Sequence, residues 1–296
     1  MTLITIDRAR FRNRPVRVSG AADRDPVPVR HSLQAGGLFD LERLAILAGT
    51  LPAVSVEHNM GSVAALLPGG AAPQLDLSPA QIVRSIDSNG CWMVLKNVEF
   101  DTEYAALLNA CLDDVELAVT SDEGRSVLRE GFIFLSAPGS TTPVHVDPEH
   151  NVLLQLTGRK TMSIGRFADD DDLHRKVEAL YAGGHRNLDH QARDLVPYAL
   201  GPGDGIYVPV HAPHLVTNGD AVSVSLSITW RTRRTQRAAR VYAYNAARRA
   251  RGGSPAGPGT SRTRDQAVSA WQVGRDVLTR LRPVRGVGAP TSPPSA

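Results

Sequence analysis

Residues 85–231 predict a mainly β fold with helices on both flanks, and three observations carry that expectation. Short runs of aliphatic and β-branched residues recur there, Gly/Pro turns separate them, and the segment AVSVSLSITW alternates strictly between apolar and hydroxyl side chains. Many short strands bounded by such turns point to a β-sandwich or barrel rather than a parallel sheet. Around this core, residues 1–84 are expected to form an extended and helical segment packed on it. Residues 232–296 are expected to form a basic helical extension with a flexible end.

The first 35 or so residues are rich in Arg, Pro and Val and show no sustained periodicity. From Phe39 to Leu51, the residues Leu41, Leu44, Leu47, Ala48 and Leu51 have helical spacing, and the Gly/Pro/Ala stretch from Leu67 to Gln74 reads as a loop. Ser78 before Pro79, with Gln81 at the third position, is a helix start with a capping box that turns Ile82, Val83 and Ile86 inward. A further helix from Asp101 buries Tyr104, Leu107, Leu108, Cys111, Leu112 and Val115. Strands are expected at Cys91–Asn97, Gly131–Ser136, Asn151–Leu156, Lys160–Ile164, Gly205–Pro209 and Ala221–Trp230. The segment 165–200 reads as an insertion, partly helical before Gly183-Gly184. Beyond Trp230, residues 231–251 and a stretch carrying Val268, Trp271, Val277, Leu278 and Leu281 read as two helices joined by a Gly/Ser/Pro linker.

Composition narrows the class. With 296 residues, 42% hydrophobic and 21% charged, the chain is globular, not disordered or fibrous. Two cysteines cannot build a disulfide framework, no run approaches the roughly 20 apolar residues of a membrane span, and the N-terminus lacks the apolar stretch of a signal peptide. A soluble cytoplasmic protein is the expectation. Charge is uneven: from Arg231 onward there are 14 arginines against two acids, net +12, and the first 230 residues carry −9. Such a tail binds polyanions, docks on an acidic surface of its own dimer, or only solvates itself.

In AVSVSLSITW, Val222, Val224, Leu226, Ile228 and Trp230 share one face and Ser223, Ser225, Ser227 and Thr229 the other. Periodicity leaves two readings: a half-exposed strand, or a barrel wall whose short hydroxyls border a ligand cavity. In PVHVDPEHN, His145 and Asp147 stand at i and i+2, on one side of an extended strand, so an imidazole and a carboxylate can converge on one ion. A third ligand has to come from elsewhere, and GPGDGIYVPVHAPH supplies His211 and His214. Two histidines and a carboxylate with open positions is the geometry of non-haem Fe(II) oxygenases. Lys160, Met162 and Ile164 share a strand face, so Lys160 points inward with apolar neighbours, where an unpaired cation is costly and needs a partner.

Taken together, TPVHVDPEHNVLLQLTGRKTM, LGPGDGIYVPVHAPHLVTNG and SVSLSITWRT resemble the cupin-like JmjC Fe(II)/2-oxoglutarate oxygenases, particularly the asparaginyl hydroxylase branch, over roughly residues 85–231. PVPVRHSLQAGGLFDLERLA and the basic tail are similar to bacterial cupin-like proteins. The resemblance implies a double-stranded β-helix (jelly-roll) core. It matches His145, Asp147 and His214 to the iron ligands, and Thr142 and Lys160 to the pair that holds the distal carboxylate of 2-oxoglutarate. It also sets Asn151 beside the cosubstrate and Ser227 where relatives often carry asparagine. The family spacing after Pro209 favours His214 over His211, which becomes a rim or supporting residue. A related subgroup uses an arginine for the carboxylate, for which Arg231 and Arg233 stand at the strand end.

The implied activity uses Fe(II), 2-oxoglutarate and O2 to hydroxylate an unactivated C–H of a protein or peptide side chain, or of a small metabolite. Tyr181, His185, Arg186 and Asn187 are either entrance residues or an ordinary surface loop, His150 lies off the ligand register, and His174, His185 and His190 read as surface or substrate-loop residues. The C-terminal helices are expected to pair two subunits through Trp271, Leu278 and Leu281. The rival class is a metal-binding cupin regulator that uses its arginine-rich tail on nucleic acid or a partner without 2-oxoglutarate turnover. No membrane partner is expected.

Overall fold

A computed structural model describes residues 2–7, 25–33, 37–60, 76–119, 123–189 and 192–280. The strands are β1 (Ile4–Ile6), β2 (Val27–His31), β3 (Val56–Met60), β4 (Cys91–Lys96), β5 (Leu128–Ser136), β6 (Thr141–His145), β7 (His150–Thr157), β8 (Lys160–Arg166), β9 (Arg193–Leu200), β10 (Asp204–Val208), β11 (His214–Asn218) and β12 (Ser223–Arg231). The helices are α1 (Leu41–Thr50), α2 (Pro79–Arg84), α3 (Thr102–Val119), α4 (Asp170–Tyr181), α5 (Arg233–Arg249) and α6 (Arg262–Arg280). Leu67–Gln74, His190 and Leu281 lie outside the described residues.

The strands form two antiparallel sheets, one ordered β1-β2-β10-β7-β12-β5-β4-β3 and the other β6-β11-β8-β9. From β5 to β12 the chain winds between them, which is the double-stranded β-helix, or jelly roll. Thr157-Gly158-Arg159 carries it across from β7 to β8. Gly158 has φ +70°, and a Cβ there would lie 2.2 Å from the carbonyl oxygen of Val222, so this crossing needs glycine.

The alternation in β12 is resolved by burial on both sides. Val224, Leu226, Ile228 and Trp230 join the main core with residues of α1, α2 and α3, on the outer face of the large sheet. Ser223, Ser225 and Ser227 are buried as well and face the space between the sheets, so the half-exposed reading is excluded. Facing them across that space, Met162, Ile164 and Val216 of the small sheet pack with Leu153, Ile206 and Val208 of the large one. The outer face of the small sheet is covered by α4 and α5, where Val144 and Val146 meet Leu173, Val177 and Tyr242.

Local signals account for several boundaries. Ser78 and Gln81 form the expected capping box, Thr232 and Thr235 form another at α5, and Asp169 caps α4 by accepting from the Asp172 N–H at 2.8 Å. Sequence periodicity did not disclose β1 and β2, which are short and take their register from β10. Nor did it disclose β9, which contains Pro197; the small sheet tolerates that proline because β9 is its edge.

Leu112 of α3 is fully buried in the main core, on the side of the large sheet away from the intersheet space. Leu112→Ala should lower the unfolding free energy by about 2–5 kcal/mol in denaturant titration. The same variant should bind divalent metal as tightly as the wild type, and a weaker metal site in it would contradict this division of the molecule.

Candidate metal centre and interior pocket

His145 ends β6 and His214 begins β11, and the two are register partners across that strand pair. Asp147 follows two residues after His145. One ligand atom from each of the three residues lies within 4.8 Å of the others, and all three residues are buried. His145 Nε2 is 3.9 Å from Asp147 Oδ1, and His214 Nε2 is 3.5 Å from Asp147 Oδ2.

The backbone sets the histidine tautomers. His145 Nδ1 lies 2.8 Å from the Pro143 carbonyl, and His214 Nδ1 lies 2.9 Å from the Ala212 carbonyl. A carbonyl only accepts, so each Nδ1 carries a proton and each Nε2 is turned toward Asp147. Burial, followed by the neighbouring His214, pushes the His145 imidazolium down to about 4. Burial alone would raise the Asp147 carboxyl, but His214, His145 and Arg186 together outweigh it and hold Asp147 well below the usual carboxylate range. Two imidazoles and one carboxylate therefore face one point, a donor set suited to a divalent first-row metal.

Arg186 was expected at the entrance or on a surface loop. Its Nη1 donates to Asp147 Oδ1 at 3.0 Å, while just over half of the side chain stays exposed (56%). The loop that carries it is pinned to the edge of β6: the Val146 N–H donates to the Arg186 carbonyl, the Leu188 N–H donates to the Val144 carbonyl, and Asn187 bridges His145. Tyr181 places its hydroxyl 3.2 Å from His211 Nε2, and His185 is exposed.

Deeper between the sheets stands Lys160, at the start of β8 and 5% exposed, with no counter-ion or hydrogen-bond acceptor among the described residues. Desolvation alone brings its ammonium down to about 7. Its register partner on β11 is Asn218, which sequence reasoning missed. The Asn218 amide donates to the Ser140 carbonyl and hydroxyl, leaving a buried Oδ1 without a partner among the described residues. Thr142 stands half-buried on β6 opposite Val216. Asn151 and Ser227 are brought together, the Ser227 hydroxyl donating to Asn151 Oδ1 at 2.7 Å. Ser225 and Ser223 instead saturate Gln155. Tyr198 of β9, opposite Met162, adds a half-buried phenol to this interior; only the alternation of Val196, Tyr198 and Leu200 could have signalled it.

Other candidates are used elsewhere. Arg231 is ion-paired with Glu149, and Arg233 is exposed at the start of α5. His150 is fully buried on the other face of β7, bound to Tyr207 and Glu123, away from the triad. His174, read from sequence as a surface or substrate-loop residue, is partly buried against Tyr242. Trp271 is 54% exposed on α6, and the side chain of Leu278 lies outside the described set. No described helix is long and apolar enough to cross a membrane.

Comparison with known proteins follows the same ground. Residues 121–238 match the family model described as the JmjC domain. The chain is 33% identical over 107 residues to Jumonji C domain-containing protein 5 of Drosophila melanogaster; the match spans 33% of this chain and only 26% of the fly protein. Among solved structures it is similar to YcfD, a ribosomal oxygenase from Escherichia coli in complex with cobalt and 2-oxoglutarate. That likeness has 17% identity, a TM-score of 0.46, and coverage of 94% of this chain and 67% of that one. It is also similar to the DMSP lyase DddQ from Ruegeria pomeroyi, at 19% identity and a TM-score of 0.24, covering 36% and 39% of the two chains. The match to the JmjC domain model over residues 121–238 therefore falls on the jelly roll that carries His145, Asp147 and His214.

Proposed function

We propose that this protein is an Fe(II)- and 2-oxoglutarate-dependent oxygenase that hydroxylates an unactivated C–H bond. Its substrate is a protein or peptide side chain, or a small metabolite. The observation that carries the reading is the pairing of two features in one interior. Three ligand atoms converge, with both Nδ1 atoms tied to backbone carbonyls, and a buried lysine lacks any counter-ion among the described residues.

In this reading His145, Asp147 and His214 hold one face of the iron and leave the other face open. Lys160, aided by the Thr142 hydroxyl, binds the far carboxylate of 2-oxoglutarate and so gains the partner its burial demands. Asn151, whose carbonyl end accepts from Ser227, turns its amide N–H groups toward the cosubstrate. Arg186 keeps one oxygen of Asp147 occupied and orients the other. When bound, iron and 2-oxoglutarate supply the oxidising chemistry with O2, and the protein supplies position, charge and exclusion of water. A homodimer through α6, with Trp271 at the contact, belongs to the same proposal.

Wild-type protein given Fe(II), 2-oxoglutarate and air should release succinate even without its substrate, and His145→Ala should not. Equal release from both would contradict the assignment. Lys160→Met should abolish 2-oxoglutarate binding in calorimetry while metal binding persists. It should also stabilise the protein by about 1–4 kcal/mol at neutral pH, because a desolvated cation is replaced by an apolar chain of similar length. The sign follows from the depressed ammonium: between about 7 and its ordinary value of 10.5 the unfolded chain binds more protons, so lysine burial lowers stability most at and below pH 7. By the same linkage, 2-oxoglutarate should take up close to one proton on binding at pH 8 and almost none at pH 6, read from calorimetry in buffers of different ionisation enthalpy. Equal uptake at both would show that Lys160 is not the carboxylate's partner.

A further inference from the structure

The arginine-rich helix α5 packs against His211, whose backbone is hydrogen-bonded to that of Asp147. Tyr242 of α5 is fully buried. It stacks on Tyr181 of α4 with ring centroids 5.9 Å apart and planes 12° apart, and meets the ring of His211 edge-on at 5.6 Å and 88°. Tyr181 also meets that ring edge-on, at 5.7 Å and 88°, and sets its hydroxyl 3.2 Å from His211 Nε2. The backbone of His211 faces the other way: its N–H donates to the carbonyl of Asp147 at 2.9 Å. His214 follows three residues later.

His211 also holds a left-handed backbone conformation, φ +62°. For a residue with a side chain this costs on the order of 1 kcal/mol or more, and it persists only where the surroundings impose it. Here the His211 N–H is held by the Asp147 carbonyl and its ring lies against two tyrosines. Helix α5 is in turn anchored at both ends. Thr232, its cap, donates its hydroxyl to Glu123 at 2.7 Å, and Arg249 pairs with the buried carboxylate of Glu178 on α4, also at 2.7 Å. The first helix of the basic tail is therefore packed into the domain, with Thr232, Thr235, Val241, Tyr242 and Asn245 buried.

We infer that His211 is a positioning residue. Clamped between Tyr181 and Tyr242, it fixes the loop that sets Asp147 and His214 in register, so α5 is a working part of the metal site. This rests on the metal-binding half of the function proposed above. Groups that hold metal ligands from behind typically contribute 10–100-fold to metal affinity.

The test uses the full-length chain and Mn(II) alone, with free ion followed by electron paramagnetic resonance and folding followed by thermal melts. His211→Asn deletes the ring but retains a residue that tolerates positive φ. Tyr242→Leu deletes the clamp, whereas Tyr242→Phe removes only a hydroxyl that has no hydrogen-bond partner among the described residues. His211→Asn and Tyr242→Leu should each weaken Mn(II) binding about tenfold or more, and Tyr242→Phe should bind as the wild type does. Leu112→Ala, destabilised from the far side of the large sheet, separates lost stability from lost positioning and should keep wild-type affinity. Wild-type affinity in folded His211→Asn and Tyr242→Leu would overturn the inference and leave the triad standing. Wild-type protein that binds no Mn(II) would remove the metal reading itself, and the positioning role with it.

Discussion

Lys160 is a cation enclosed between two β-sheets with no counter-ion among the described residues, and desolvation alone pulls its ammonium down to about 7. A fold keeps such a group only if something offsets its cost. Much of the polar interior around it is already satisfied: Ser223 and Ser225 bond Gln155, Ser227 bonds Asn151, and the Asn218 amide bonds Ser140. Among the described residues, Lys160 is left without an acceptor and Asn218 Oδ1 without a donor, opposite each other in register on β8 and β11. The Lys160 cation asks for a ligand with an anionic end, and it stands in the same small sheet as His145 and His214.

That triad is a consequence of strand pairing. Register between β6 and β11 sets His145 opposite His214, and the i, i+2 repeat adds Asp147. Both imidazoles hand their Nδ1 protons to backbone carbonyls two residues earlier in the chain, so preorganisation is built into main-chain geometry. Elements outside the jelly roll then hold this arrangement from behind. The loop after α4 carries Arg186 to Asp147, and α4 and α5 close on the outer face of the same sheet. The charge separation noticed in the sequence thus acquires a structural meaning for α5, whose Arg249 neutralises a buried glutamate instead of standing free.

Much of this was readable from the sequence, for identifiable reasons. The β12 alternation, the Ser78 capping box and the periodicity of α3 are local signals, and each produced the element it foretold. Lys160 could be placed inward because it alternates with Met162 and Ile164. Alternation could not say whether the serine face of β12 met water or the facing sheet, since that depends on strands distant in sequence. The same limit hid β1, β2 and β9, whose registers come from long-range partners. His211 was placed on the rim or behind the ligands, but its ring contacts come from α4 and α5, more than 20 residues away on either side, so its clamp left no local trace. The direct bond from Arg186 to Asp147, across 39 positions, was invisible for the same reason.

The most direct test of the account is anaerobic titration of the protein with Fe(II) and 2-oxoglutarate, watching for the weak visible metal-to-ligand charge-transfer band. The account expects the band in wild type, its loss in His145→Ala for want of metal, and its loss in Lys160→Met although metal still binds. A wild-type protein that takes up Fe(II) but shows no band with 2-oxoglutarate would contradict the claim that Lys160 and the triad serve one ligand.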